Sequence, residues 1–221
     1  MKIWDKPMLP TPELENLYEA ILTGDANMAV EITKEAVAAD LNPQDLVIER
    51  MIPAMDEVGR RFEAGEFYVP ELLISGRAMK GALDILRPLL AERGIEPAGR
   101  IVIGTVKGDL HDIGKGLVAS MLEGGGFEVI DLGVDVAADK FVSEVRKANA
   151  DVLALSALLT TTMPAIKDVI QAMNNSDQSD RCKVIIGGAP ITQQYADSVG
   201  AAGYSENANG AVKLARELVS V

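Results

Sequence analysis

The chain contains one histidine, His111, whose neighbours suit it to chemistry. It lies in the stretch GTVKGDLHDIGKG, residues 104–116, directly after an apolar run that predicts a β-strand. Asp109 could accept a hydrogen bond from one imidazole nitrogen, which would orient the ring and raise the basicity of the other nitrogen. Ligands of open α/β sheets bind at the carboxyl ends of the strands. These residue types at this position predict a functional loop.

Three common kinds of site do not fit this loop. A phosphate-binding P-loop needs GxxxxGK followed by Ser or Thr, but five residues separate Gly108 from Gly114, and Gly116 stands where the hydroxyl is required. The loop has no GxGxxG dinucleotide fingerprint and is too acidic for a pyrophosphate. A phospho-receiver domain needs an aspartate where the third predicted strand ends in Ser156.

A metal site built by the protein alone does not fit either. Zinc sites need three or four protein ligands, and the chain offers one histidine and one cysteine, Cys182. A metal that carries its own macrocycle needs only one axial ligand from the protein. The residues by themselves leave two interpretations open: His111 is such an axial ligand, or it is a solvated loop residue flanked by acids.

Composition limits the kind of protein further. Hydrophobic residues make up 48% of the 221 positions and aromatic residues 4%, which favours helices and a buried parallel sheet. A net charge of −12 without a Lys/Arg run argues against nucleic acid or an anionic membrane surface as the main partner. No apolar run approaches the ~20 residues of a membrane span, and residues 1–13 lack the apolar segment of a signal peptide. The single cysteine allows no internal disulfide, which fits a reducing compartment. We therefore expect a soluble cytoplasmic protein.

The hydrophobic periodicity changes before the middle of the chain. Residues 1–90 predict a bundle of four amphipathic helices, with a kink or break of the third at Pro53. Residues 91–99 predict a linker, and residues 100–221 an α/β domain with a doubly wound, flavodoxin-like parallel sheet. The predicted strands are RIVIGTV, FEVIDLG, DVLALSA and KVIIGGA, and the predicted helices cover residues 113–124, 137–148, 163–174, 190–198 and 208–219.

Four segments, in order along the chain, resemble one protein family. DLHDIG matches Asp-x-His-x-x-Gly, the signature of cobalamin-binding domains in which a histidine replaces the cofactor's own base (base-off, His-on). The longer stretch GTVKGDLHDIGKGLVASMLEGGGFEVIDLGVDV resembles the first βαβ unit of that family, which includes the cobalamin-binding module of methionine synthase. SALLTTT and IIGGAP resemble the segments after the third and fourth strands, and MIPAMDEVGRRFEAGEFYVPELLISGRAM resembles the helical cap of corrinoid methyltransferases.

The resemblance implies a role for each matching residue. His111 is expected to bind cobalt, Asp109 to bind His111, and Ser156 to join this relay or to contact the nucleotide tail of the cofactor. A strand order of 2-1-3-4-5 would bring His111 and Ser156 together. Tyr68, Val69 and Leu72 would cover the upper face of the corrin, although they and Leu158 also fit a plain core role. The implied cofactor-binding residues are Gly108, Asp109, Leu110, His111, Asp112, Ile113, Gly114, Ser156, Leu158, Thr160, Gly187, Gly188, Tyr68 and Leu72, and residues 204–207 could also contact the tail.

The same resemblance implies a methyl-carrying corrinoid protein of methylamine, methanol, betaine or aryl-ether methyltransferase systems. Its expected partners are a substrate-specific methyltransferase, a second methyltransferase that takes the methyl group, and a reductive activase. Such a chain is a subunit of an enzyme system and not a complete enzyme. A cobalamin-binding sensor would share both domains but needs an output element, commonly a basic DNA-binding domain. The small subunit of a cobalamin mutase would lack the helical cap.

Overall fold

A computed structural model describes residues 11–219 of the chain, with side chains from residue 16 onward. Residues 1–10, on which part of the signal-peptide argument rests, lie outside this range. The chain divides into two compact units, with the boundary between Glu96 and Pro97. This boundary falls inside the segment 91–99 that the sequence suggests as a linker. Each unit is described by itself below.

The first unit is built from helices. They comprise α1 (Thr11–Thr23), α2 (Ala26–Ala38), α3 (Pro43–Leu46), a π-helical turn (Val47–Met51), α4 (Ile52–Glu63) and α5 (Val69–Glu92). Side-chain caps explain two of the starting points. The Asp25 carboxylate accepts a hydrogen bond from the Met28 N–H at 3.0 Å before α2, and the Asn42 side chain accepts one from the Gln44 N–H at 3.2 Å before α3.

Pro53 interrupts the third predicted helix. Proline lacks an N–H, and its ring crowds the carbonyl of the residue four positions earlier, here Glu49. The π-helical turn lies directly before it, and there the N–H of Ile52 donates to the carbonyl of Val47. The elements α3, π-helical turn and α4 thus form one interrupted helix. Over residues 11–92 the unit has the four helices that the sequence predicts.

Apolar and small side chains from all four helices are buried. Ser75 is one of the few buried polar residues of this unit, and its hydroxyl donates to the Leu22 carbonyl at 3.2 Å, which ties α5 to the end of α1. The largest fully buried side chains of the unit are Leu17, Ile21, Met51, Met55, Leu72, Met79 and Leu86. The core contains methionine and aliphatic residues because the chain is poor in aromatic ones.

The second unit is a parallel sheet with helices between the strands. Its elements are β1 (Arg100–Thr105), α6 (Ile113–Gly124), β2 (Glu128–Asp131), α7 (Ala138–Ala148), β3 (Val152–Ser156), α8 (Met163–Asn174), β4 (Lys183–Gly187), α9 (Gln193–Val199), β5 (Gly203–Tyr204) and α10 (Ala208–Val219). The strand order is β2-β1-β3-β4-β5, and every pairing in the described residues is parallel. The predicted fold class and strand order are confirmed.

The register of the sheet aligns three strand ends. Thr105 of β1 pairs with Ser156 of β3, which in turn pairs with Gly187 of β4. The loops that follow β1, β3 and β4 therefore leave the sheet at one edge, where a doubly wound fold binds its ligands. The three central strands are buried on both faces, as their apolar sequences predict. Over residues 11–219, no helix is long and apolar enough to cross a membrane.

Candidate functional site

His111 lies in the loop between β1 and α6, and a carboxylate holds its ring. Its Nδ1 is 2.7 Å from Oδ1 of Asp109, and its backbone N–H donates to the same oxygen at 3.1 Å. In the neutral imidazole, a proton on Nδ1 leaves the lone pair on Nε2. Half of the side chain is exposed. The ring is thus oriented through one nitrogen while the other can bind a ligand.

Asp109 is the centre of the hydrogen-bond network. It has no exposed surface, and its second oxygen, Oδ2, accepts from the Thr162 hydroxyl at 2.7 Å and from the N–H groups of Leu158 and Leu159 at 2.8 and 3.3 Å. Burial opposes its ionisation, but the hydrogen bonds from Thr162, His111 and Leu158 outweigh burial and hold the pKa of Asp109 well below its usual range. Asp109 is therefore a carboxylate at neutral pH and can accept from the imidazole.

The third member of the relay is Thr162, and the prediction that Ser156 joins it is wrong. Ser156 ends β3 half-buried, and its hydroxyl makes no hydrogen bond to Asp109 or His111. The connection from β3 to α8 turns back over Asp109, which places the last of three consecutive threonines against the carboxylate. Thr160, the other residue predicted in this segment, is exposed. A contact of Ser156 with a nucleotide tail stays a prediction.

A residue that the sequence analysis missed fixes the backbone of His111. Thr105, the fully buried last residue of β1, donates its hydroxyl to the His111 carbonyl at 2.8 Å. The histidine is consequently held at its N–H, at its carbonyl and at Nδ1. A hydroxyl at the end of a buried strand, six residues before the histidine, was the signal that could have shown this.

Two of the predicted glycines have different surroundings. A Cβ on Gly188, where φ is +135°, would lie 1.9 Å from the Ala157 carbonyl oxygen, so the fold itself requires glycine there. A Cβ on Gly114, in the first turn of α6, would meet no protein atom within 4 Å. Glycine at position 114 is therefore not explained by packing, and it leaves the side of α6 beside His111 open to a close approach.

Large apolar side chains surround the histidine loop without being buried. Leu110 is 71% exposed, Ile113 81% and Leu158 41%, so the alternative of a core role for Leu158 is wrong. Exposed leucines and isoleucines that cluster around one polar group indicate a surface for an apolar ligand or partner. The remaining loop residues of the predicted set, Gly108 and Asp112, are exposed.

The predicted cap residues differ in exposure. Tyr68, the residue before α5, is 66% exposed, and its neighbour Val69 is exposed too. Leu72 is fully buried, which corrects the expectation that it offers surface to a cofactor. Two side chains among residues 204–207 make hydrogen bonds at the start of α10. The Ser205 hydroxyl donates to the Asn207 carbonyl, and the Asn207 side chain accepts from the Gly210 N–H.

The donor set fits a metal that brings most of its own ligands. In the described part of the chain, no three His, Cys, Asp or Glu side chains are arranged to hold a metal ion. Cys182 is buried, and burial raises the pKa of its thiol to about 12, so that it is no thiolate ligand. The oriented imidazole of His111 is therefore suited to act as the one protein ligand of a macrocyclic metal.

Comparisons with known proteins agree over most of the chain. A family model described as a B12 binding domain matches residues 99–213, and a second model of that description matches residues 13–87. The chain is 40% identical over 209 residues to a corrinoid protein of Desulfitobacterium hafniense, covering 93% of this chain and 97% of that protein. It is also 40% identical over 208 residues to dimethylamine corrinoid protein 1 of Methanosarcina acetivorans, covering 94% and 97%.

Solved structures show the same two-part architecture. A cobalamin-binding protein from Desulfitobacterium hafniense aligns with a TM-score of 0.76 at 33% identity, covering 93% of this chain and 98% of that one. A chain of the methanol:cobalamin methyltransferase complex from Methanosarcina barkeri aligns with a TM-score of 0.83 at 28% identity, covering 96% and 81%.

Proposed function

Since the chain belongs to the family of B12-binding corrinoid proteins, we propose that it carries a methyl group on the cobalt of a corrinoid between two methyltransferases. The observation that carries the proposal is the pairing of the only histidine with a buried carboxylate. Among the described residues, no group of three His, Cys, Asp or Glu side chains could hold a metal ion that lacks its own macrocycle. The likeness to corrinoid proteins extends over nearly the full length of those relatives, which favours this role over a sensor module.

The corrinoid, when bound, supplies a cobalt centre that can accept and release a methyl group. The chain's residues do the rest. Nε2 of His111 would bind the cobalt, and Asp109 would fix the tautomer of the imidazole and increase its donor strength. Thr162 and the Leu158 amide keep Asp109 charged by donating to its other oxygen.

The surroundings of the histidine suit the rest of the cofactor. Leu110, Ile113 and Leu158 would pack against the apolar macrocycle and exclude water from the His111 imidazole. The open side of α6 at Gly114 would let the nucleotide tail pass close to the backbone. Tyr68 is the cap residue whose exposure fits contact with a cofactor.

The partners follow from the relatives. Corrinoid proteins named for dimethylamine and trimethylamine are 37–46% identical to this chain, and a similar chain forms part of a methanol:cobalamin methyltransferase complex. We propose that a methyltransferase specific for a methylamine or methanol loads the cobalt of this protein in the cytoplasm. A second methyltransferase would remove the methyl group, and a reductive activase would restore cobalt that has become oxidised.

The first test is spectroscopic. Wild-type protein loaded with methylcobalamin is expected to show an absorption spectrum with a bound axial nitrogen, and His111→Ala the spectrum of the base-off form. The exposed Asp139→Asn variant, on α7, serves as a control that should match wild type. An identical spectrum for wild type and His111→Ala refutes the proposed ligand.

The second test concerns the carrier role. Protein loaded with hydroxocobalamin, its cobalt reduced to Co(I) by a chemical reductant without oxygen, is mixed with a methylamine methyltransferase or a methanol methyltransferase, and methylamines and methanol are supplied one at a time. Methylation of the bound corrinoid by one donor supports a carrier. Tight cobalamin binding without methylation by any methyltransferase partner refutes the carrier role in favour of a binding module of another kind.

A further inference from the structure

Three consecutive residues before His111 share one partner, Asp135. The Gly108 N–H donates to Oδ1 of Asp135 at 2.8 Å, and the Lys107 ammonium lies 3.0 Å from the same carboxylate. The N–H of Asp135 donates to the Asp109 carbonyl at 3.0 Å. Asp135 therefore contacts the loop through its side chain and through its backbone. Asp135 follows β2, 27 residues after Gly108, and its carboxylate makes no hydrogen bond to the side chain of Asp109 or His111.

The backbone of Asp135 shows that these bonds have a conformational cost. Its φ is +56°, in the left-handed region that disfavours residues with a Cβ. Aspartate tolerates this region better than most residues, and the conformation persists where surrounding bonds determine it. The next residue, Val136, donates its N–H to the Thr105 carbonyl at 3.0 Å, so the left-handed turn is anchored on the end of β1.

Asp109 is held in place by hydrogen bonds from two different connections of the fold. Its carboxylate is held by Thr162 and the Leu158 amide from the connection between β3 and α8. Its backbone is held by Asp135 from the connection between β2 and α7. Because the imidazole of His111 is bonded to the Asp109 carboxylate, a shift of the Asp109 backbone would move the ring.

We propose that Asp135 is a positioning residue, which sets the place and order of the His111 imidazole by holding residues 107–109 from the neighbouring loop. The inference deepens the proposed function, since the ring it positions is the proposed cobalt ligand. The Gly108 N–H bond is the essential one. The contact with Lys107 is a largely exposed ion pair, and such pairs contribute little.

The decisive variant is Asp135→Gly, which removes the carboxylate and relieves the left-handed strain at once. Asn149→Gly is the matched control, because Asn149 also has a left-handed backbone, with φ of +53°, but it ends α7 away from the loop. Asp135→Asn keeps an oxygen that can accept from Gly108 and tolerates the left-handed turn. It separates the hydrogen bond from the charge.

The first readout uses apoprotein. As His111 is the only histidine, selective labelling of histidine gives one set of imidazole resonances. In Asp135→Gly we expect these resonances to shift or broaden and the Gly108 amide to exchange faster with deuterium. Asn149→Gly and Asp135→Asn should leave both signals unchanged.

The second readout is the dissociation constant for cobalamin. Asp135→Gly is expected to weaken binding about 10-fold or more, the usual effect of losing a group that orients a metal ligand. Asp135→Asn should stay within about fivefold of wild type, as befits an exposed ion pair. Wild-type imidazole resonances and wild-type affinity in a folded Asp135→Gly protein overturn the inference.

The inference can fail independently of the proposed function. Absence of cobalamin binding by wild type would refute the function, while the imidazole resonances of the apoprotein still decide the role of Asp135. If Asp135→Gly does not fold, Asp135→Asn decides through Gly108 exchange and the imidazole signals. Faster exchange at Gly108 together with shifted or broadened imidazole resonances supports the inference. Lost protection at Gly108 with unchanged resonances overturns it.

Discussion

Replacing Thr162 with valine removes one hydroxyl and nearly no volume. That hydroxyl donates to Oδ2 of Asp109 at 2.7 Å, and both residues are buried. A hydrogen bond to a charged group contributes about 1.5–3 kcal/mol to stability. The amides of Leu158 and Leu159 continue to donate to the same oxygen, so the carboxylate does not become wholly unpaired. We therefore expect Thr162→Val to lower the free energy of unfolding of the second unit by about 1.5–2 kcal/mol at pH 7.

The effect has a defined pH dependence. The pKa of Asp109 is lowered in the folded chain, so its hydrogen bonds stabilise the fold above the unfolded-state pKa of about 3.9 and that contribution is lost as the pH falls towards the folded-state value. Without Thr162 the folded-state pKa rises towards its ordinary value. The difference between wild type and Thr162→Val should be complete at pH 7 and shrink below about pH 4.

The assay is urea unfolding followed by circular dichroism, with the transition of each unit fitted separately. Thr162→Ser retains the hydroxyl and should keep most of the stability. Ser156→Ala should change it by no more than about 0.5 kcal/mol, because the Ser156 hydroxyl takes no part in the network. A stable Thr162→Val protein together with a destabilised Ser156→Ala protein would show that the relay has been assigned to the wrong hydroxyl.

Three further predictions concern glycines and the cysteine. Gly188→Ala should lower the unfolding free energy by about 3 kcal/mol or prevent folding, since its Cβ would overlap the Ala157 carbonyl. The neighbouring Gly187→Ala should fold normally, because its Cβ would be 3.5 Å from the closest atom. Thermal unfolding compares the two variants. Gly114→Ala should raise stability by about 0.5–1 kcal/mol and yet weaken cobalamin binding, and equal affinity would show that no tail passes there. The Cys182 thiol should not react with an aromatic disulfide reagent at pH 8 until urea unfolds the second unit; rapid labelling of the native protein would contradict its burial and its pKa of about 12.

The sequence predicts most of the fold because the relevant information is local. A change from helical spacing to short apolar runs separates the two units, and glycines and prolines mark the ends of many elements. The pairing of Asp109 with His111 is equally local, since only one residue lies between them. Pro53 also acts locally, and the predicted break appears as a π-helical turn.

The errors concern quantities that depend on tertiary structure. The choice between the hydroxyls of Ser156 and Thr162 depends on the path of the connection from β3 to α8, which no local pattern reveals. The burial of Leu72 beside the exposed Tyr68 depends on the rotation of α5 about its axis, where each residue turns the side chain by about 100°. Asp135 was missed because its partners lie in another loop.

The long-range bonds of Asp109 also bear on how the protein is made. Its partners Leu158 and Thr162 are 49 and 53 residues further along the chain. A nascent chain that has reached residue 150 therefore contains the histidine and the carboxylate but neither of these donors. Parallel pairing of β1 with β3 must come first, and pairing over such separations is slow. A fully held His111 is thus available to a cofactor only after β3 has paired with β1, whereas the helices of the first unit can form from local contacts during synthesis.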